Sequence, residues 1–261
     1  MRRWGQQAYL LRLLVRRNIK NQYYRSFIGV LWTVLNPLLN MLVMAFVFSS
    51  IFGRGEGMTL DYSVYLLSGN IIFNIMRTST SGSLTCLVQQ RDMLQKTKVP
   101  IGLFPTANVL SSLVTFGFSF VALLLVMVIR AAAGAYVFHW QIVLTVAVVP
   151  AVTLFSLGLS YFLSALYAFF RDLKHIYSVI LTLWTYMTPL FYTIETLKND
   201  LVEKVLVFNP MYHYVTYFRD VLSGTIPGAM EHLILYAFAL VSFAIGYLFM
   251  NAVRNGIAAK L

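Results

Sequence analysis

The sequence predicts an all-α, polytopic membrane protein of six transmembrane helices. An amino-terminal amphipathic interface helix and two short external re-entrant helices complete the fold. Three observations carry this. Of 261 residues, 59% are hydrophobic and only 11% are charged, against roughly 25% charged in a soluble domain. The apolar residues come in runs of about 20, the length a helix needs to cross a bilayer core, whereas barrel strands alternate over about 10. The basic and acidic residues are sorted onto alternate connections, as the positive-inside rule requires. Residues 1–261 therefore form one transmembrane domain with no room for a separate soluble one.

The chain opens with a basic run, Tyr9-Leu-Leu-Arg-Leu-Leu-Val-Arg-Arg-Asn-Ile-Lys20, within an interface helix over about 7–24. At 100° per residue Leu10, Leu11, Leu14, Val15 and Asn18 fall on one arc, and Arg12, Arg16 and Lys20 on the other. Such a helix lies in the membrane interface; its basic face meets either anionic head groups or a protein partner. The first span, about 29–52, is uncharged and holds Asn36-Pro37. Pro37 removes a backbone donor and is expected to kink the helix, which neighbouring helices in a membrane can accommodate. The apolar run is too long for a cleavable signal peptide. Gly53 to Gly57 reads as an external turn.

The second span, about 62–87, is unusually polar, with Asn70, Asn74, Arg77 and the run Thr78-Ser-Thr-Ser-Gly-Ser83. Polar residues at membrane depth face the bundle interior or a watery cavity, so this span is expected to line the transport path. Arg77 is expected either to meet an anionic group or watery channel, or to be satisfied by an internal pair or by snorkelling. Residues 88–100 form an inner loop with a short helical piece. The third and fourth spans follow at about 104–129 and 141–169, joined by a short external turn. Phe170 to His175 turns inside, where Arg171 and Asp172 either pair to fix the turn or pass motion to the fifth span, about 176–194. The external stretch 196–224 holds an amphipathic Leu197–Phe208 and an aromatic-rich Tyr212–Leu222, separated by Asn209-Pro210. The sixth span is about 232–251, and the remaining tail ends inside.

Charge placement checks this topology. Arg2, Arg3, Arg12, Arg16, Arg17, Lys20, Arg25, Arg91, Lys96, Lys98, Arg171, Lys174, Arg254 and Lys260 fall inside. Arg54, Arg130, Lys198, Lys204 and Arg219 fall outside, and of the acids only Asp92 and Asp172 fall inside. Both termini are thus expected in the cytoplasm. The formal net charge of +11 is orientation signal and membrane surface, with no nucleic-acid partner implied. Cys86 is the single cysteine, which leaves no internal disulfide.

Several chemistries are missing. No G-x-x-x-x-G-K-[ST] phosphate loop occurs, so the chain is not expected to bind ATP in the usual way. The four histidines lie in four segments without a ligand spacing, so no metal site is expected. No carboxylate lies at membrane depth, as a proton- or sodium-coupled carrier would need. The chain is therefore a transport subunit, not an enzyme, and its energy is expected from a partner subunit.

Four stretches then resemble one family in order and spacing. They are Gly29-Val-Leu-Trp-Thr-Val-Leu-Asn-Pro37, Lys98-Val-Pro100, Phe170-Arg-Asp-Leu173 with Thr188-Pro-Leu-Phe-Tyr192, and Asn209 to Gly224. Together they resemble the membrane subunit of type-2 ATP-binding-cassette exporters for O-antigen, capsule or teichoic acid. The resemblance implies a homodimer with two copies of a cytoplasmic ATPase, which would bind ATP and Mg while this chain holds no cofactor. The substrate it implies is a lipid-linked polysaccharide. Gln90, Arg91, Asp92, Met93, Leu94 and Gln95 look like the helix that couples to the ATPase. Leu10, Leu13, Leu14, Arg16 and Arg17 look like part of the interface helix, and 196–224 looks like an external gate. Tyr62, Tyr65, Phe73, Arg77, Trp184, Tyr186, Phe191 and Tyr192 are the candidates for the substrate path, because aromatic faces cover sugar rings without fixing the hydroxyls. Pro37, Arg171, Asp172, Pro189, Asn209 and Pro210 are the candidates for structural or transmitting roles. A small-molecule exporter of the same type and an integral-membrane transferase for lipid-linked sugars are the competing readings.

Overall fold

A computed structural model describes residues 2–23, 29–52, 60–96, 99–193 and 206–260. The regular elements among them are all helical. In chain order they are α1 (Arg2–Tyr23), α2 (Gly29–Phe52), α3 (Tyr62–Leu84), α4 (Cys86–Gln89), α5 (Arg91–Lys96), α6 (Leu103–Ala132), a 3-10 turn (Trp140–Leu144), α7 (Thr145–Phe169), α8 (Leu173–Met187), α9 (Pro210–Ser223) and α10 (Ala229–Lys260). Most of the expected external stretch Leu197–Phe208, the turn Gly53–Gly57 and Lys98 lie outside the described residues.

Among the described residues three stretches are long and apolar enough to cross a membrane: Leu103–Ala132, Trp140–Phe169 and Ala229–Ile257. They match the expected third, fourth and sixth spans. α2 has 24 residues and runs on through Pro37, about 36 Å at 1.5 Å per residue. α3 is one residue shorter, at 23, but more polar. The expected fifth span is corrected: α8 stops at Met187 and residues 188–193 are not helical. Pro189 is the cause, since a residue before proline is pushed out of the helical region; Thr188 sits at φ −97, ψ 129.

α3 is the central post, packed on α2, α6, α7, α8 and α9. Its Val64, Leu67, Ile71, Ile72, Ile75 and Met76 fill the main core together with Leu123, Met127, Val152, Phe155, Tyr214 and Phe218. Phe73 is in that core at 1% exposure, so its ring is corrected from a path surface to a packing residue. The polar run also departs from expectation. Ser79, Thr80 and Ser83 are fully buried and stitch helices together. The Ser79 and Ser112 hydroxyls meet at 2.6 Å, and the Tyr177 hydroxyl donates to Thr80 Oγ1 at 2.6 Å.

The tightest crossing is α7 on α10. A Cβ on Gly246 would stand 2.0 Å from the Gly158 carbonyl oxygen, and one on Gly158 would stand 2.3 Å from the Ser242 carbonyl carbon. Small residues four apart, Ser242 and Gly246, let two backbones touch, the usual driving contact where lipid removes the hydrophobic incentive. The Ser242 hydroxyl donates to the Phe155 carbonyl at 3.0 Å. α10 does not stop at the expected end of the sixth span but continues as helix to Lys260. Its Ile257 is buried with Leu14, Leu87, Phe104, Ala168 and Met250, so the tail is a packed part of the bundle.

The bundle thus has two ends. At one, α1, α4 and α5 gather on that second cluster. At the other, α9 lies across the start of α3, Arg130 pairs with Asp61, and the Tyr136 hydroxyl donates to the Leu222 carbonyl at 2.8 Å.

Candidate functional site

Three places carry the residues singled out above. The first is one face of α3. Of its polar residues, Asn70, Asn74, Arg77 and Ser81 stay uncovered or half-covered. Steps of four, three and four return to one face of a helix, and the stripe climbs about 16 Å at 1.5 Å per residue. Their side chains make no hydrogen bond or ion pair with a described residue. Arg77 is therefore not an internally paired charge. It stands bare on the flank of the subunit.

The second place is the α9 end. Arg219, expected on the outer side within a short re-entrant helix, is buried at 7% exposure. Nη1 donates to the Pro189 carbonyl at 2.7 Å, and Nη2 donates to the Tyr65 and Leu190 carbonyls at 3.1 Å each. The guanidinium carbon lies 3.4 Å from the centre of the Tyr65 ring. Room for it exists because residue 69 is glycine: a Cβ there would come within 2.5 Å of Nη2. Arg219 is the only cation able to supply this, since a planar fork of donors can reach three carbonyls while stacking on a ring.

Around it the non-helical 188–193 is tied on both sides. The Tyr65 hydroxyl donates to the Tyr192 carbonyl at 2.7 Å and the Tyr62 hydroxyl to the Phe191 carbonyl at 3.3 Å. Asn209 caps α9 by accepting from the Met211 N–H at 3.0 Å, and Pro210 follows at the first turn, where its missing N–H costs nothing. The same Asn209 accepts from Trp184 Nε1 at 2.8 Å and donates to Thr188 Oγ1 at 3.1 Å. Tyr62, Tyr65 and Trp184 thus spend their polar atoms holding this end together. Tyr186 is exposed, and Phe191 and Tyr192 are half-buried. Beside the latch, burial and then the nearby Glu231 push the Asp220 carboxyl up to about 6, against the opposing pull of Arg219.

The third place is the α1 and α5 surface. α1 turns Leu10, Leu11, Leu14, Val15 and Asn18 toward the body and leaves Arg12, Arg16 and Lys20 outside. Leu13 is exposed. Arg17 Nη1 donates to Gln90 Oε1 at 3.0 Å, and Asn18 Nδ2 to Asn108 Oδ1 at 2.8 Å. On α5, Met93 and Leu94 pack toward the α1 cluster, while Arg91, Asp92 and Gln95 are exposed.

The turn between α7 and α8 corrects one expectation. Arg171 and Asp172 do not form an ion pair with each other. Adjacent side chains leave a helix start in different directions, and the Arg171 guanidinium instead lies 5.5 Å from the Tyr167 ring centre. Arg219 and Gly69 were missed by the sequence reading. The available signal was that Arg219 falls on the apolar arc of α9, within 60° of Val215 and Leu222 at 100° per residue.

Comparison with known proteins agrees with this architecture. Residues 9–223 match the ABC-2 type transporter membrane family. The chain is 33% identical over 234 residues to an O-antigen export system permease protein of Myxococcus xanthus, covering 89% of this chain and 87% of that one. It is 25% identical over 259 residues to an O-antigen export system permease protein of Klebsiella pneumoniae, covering 97% and 96%. It is 22% identical to a polysialic acid transport protein of Escherichia coli, covering 92% of each. The chain belongs to the ABC-2 type transporter membrane family.

Proposed function

We propose that this chain is the membrane subunit of an ATP-driven exporter that moves a lipid-linked polysaccharide out of the cytoplasm. Six spans would place both termini inside, with α2, α3, α6, α7, the α8 segment and α10 crossing. Two copies would enclose the path, and a separate ATPase would bind ATP and Mg. The α1 and α5 surface would face that ATPase: Arg91, Asp92 and Gln95 are exposed there, while Met93, Leu94 and Arg17 hold α5 to the rest of the subunit.

The observation that carries the reading is the bare stripe Asn70, Asn74, Arg77 and Ser81. Four polar side chains with no partner among the described residues cannot face lipid at low cost. A watery conduit lined by such a rail gives a hydrated polymer exchangeable hydrogen bonds along its length, and it gives an anionic group one place to rest at Arg77. The relatives named for O-antigen export and polysialic acid transport support the substrate class.

The test is surface polysaccharide in a strain whose only copy of the chain carries Arg77→Ala or Asn74→Leu, with membrane levels checked. Loss of surface polymer at normal protein levels supports the reading. Normal polymer in both variants would overturn the path assignment. Failure of the purified chain to hold any ATPase would overturn the transporter assembly.

A further inference from the structure

A groove of about 420 Å³ runs between α1 and α6. Ala8, Leu11, Val15 and Ile19 form one wall and Leu110 the other, with Arg12 and Arg16 at the rim. Leu11 and Val15 also pack on the edge of the Leu14 cluster, so this apolar stripe is the partly covered border of the face that α1 turns to the body. It extends about 16 Å along the helix. Arg12 and Arg16 are one turn apart, exposed, and make no hydrogen bond or ion pair with a described residue. No acid precedes Glu56 in the chain, so nothing nearby in sequence offsets them. Arg17 is on the other flank of the helix, committed to Gln90.

We propose that this groove binds an anionic membrane glycerophospholipid, with one acyl chain along Ala8, Leu11, Val15, Ile19 and Leu110 and the phosphate held by Arg12 and Arg16. The shape suits it: an apolar trough of helix length, opening onto two cations spaced by a single turn. Polybasic helices draw anionic lipid to a membrane surface, and here the groove adds a place for the chain. A protein partner would need polar groups of its own to meet a trough whose walls offer almost none. The occupant is a bulk lipid of the membrane and is independent of what is exported.

The test is native mass spectrometry of the full-length chain, purified with any ATPase it holds and incubated with equal palmitoyl-oleoyl phosphatidylglycerol and phosphatidylcholine. The expected result is selective retention of phosphatidylglycerol. Arg12→Gln with Arg16→Gln should lower that preference by roughly tenfold or more. Leu110→Phe, which narrows the trough, should lower retention of both lipids. Equal retention of the two lipids by the unaltered chain would overturn the proposal, as would a preference that survives both arginine changes. So would displacement by undecaprenyl diphosphate at a lower concentration than phosphatidylglycerol, which would assign the groove to the lipid of an export substrate. If Leu110→Phe left lipid retention intact but released the ATPase, the groove would be a protein interface instead. The unaltered-chain competition needs no variant, so a misfolded variant does not remove the test.

Discussion

Arg77 and Arg219 are the same residue type in one membrane subunit, and their surroundings are opposite. Arg219 is enclosed, bonded to three carbonyls and stacked on Tyr65. Arg77 is bare on the flank of α3. The same split runs through the hydroxyls of α3: Ser79 and Thr80 are buried in bonds to other helices, while Ser81, one or two residues away, is exposed. The difference teaches that polar residues in a membrane helix fall into two populations, and angle around the helix separates them. One population makes the fold. The other is left for something outside the subunit.

The largest effect should come from breaking the enclosed member. Arg219→Ala removes the donors from three buried carbonyls, a loss of about 3–5 kcal/mol by analogy with breaking a buried charged network. The purified protein should melt far lower or fail to accumulate. Arg219→Lys should not rescue it, because a point charge cannot fork to three acceptors. A lysine variant with unchanged melting would remove the distinction between the two arginines.

The bare member should behave the other way round. Arg77→Ala should leave melting within about 0.5 kcal/mol, as for surface changes, yet lower polymer export by about tenfold, a barrier of roughly 1.4 kcal/mol. Arg77→Lys should keep part of the activity, since only charge is required. Equal loss of stability in Arg77→Ala and Arg219→Ala would show that both are structural.

A smaller effect sharpens the comparison on the hydroxyls. Ser79→Ala should cost about 0.6 kcal/mol, the average for a hydrogen bond between membrane helices. Adding Ser112→Ala should cost little more, because the partner bond is already gone. Ser81→Ala should cost nothing in stability. Unfolding in a mixed-detergent titration reads all three, and a Ser81 variant as destabilised as the Ser79 one would contradict the assignment by face.

Much of this fold was legible from residues alone. The inward arc of α1 is the arc its 3.6-residue periodicity predicts, and the long apolar stretches at α6, α7 and α10 coincide with expected spans. Composition along α3 showed that polarity was present but not which way it pointed, so the buried stitches and the bare stripe were taken together. The Gly158–Gly246 crossing and the Gly69 cavity were hidden because a missing side chain has meaning only once a neighbour is in place. Pro189 was visible, but its consequence, ending α8 at Met187, depends on Arg219 and Tyr65 to hold the non-helical segment that follows. Those contacts join residues 29 to 127 positions apart in the chain, beyond the reach of local pattern.

The smallest prediction concerns the acid next to the enclosed arginine. Asp220 has its carboxyl raised to about 6, above the roughly 4 expected for an unfolded chain. A carboxyl whose folded value is raised favours the protonated form, so the folded state is penalised where the group must be charged. That penalty is present above pH 6 and fades as pH falls through 6 toward 4. The charged groups facing it are Arg219, which opposes the shift, and Glu231, which adds to it; Glu231 is itself fixed by accepting from the Gly228 N–H at 2.8 Å. Asp220→Asn should therefore raise the melting temperature at pH 7.5, by on the order of 1–2 °C given partial exposure. The gain should vanish near pH 4, where the native carboxyl is already neutral. A gain of the same size at both pH values would mean the asparagine acts through packing, and would leave Arg219 latched by its carbonyls alone, without help or hindrance from the neighbouring charge.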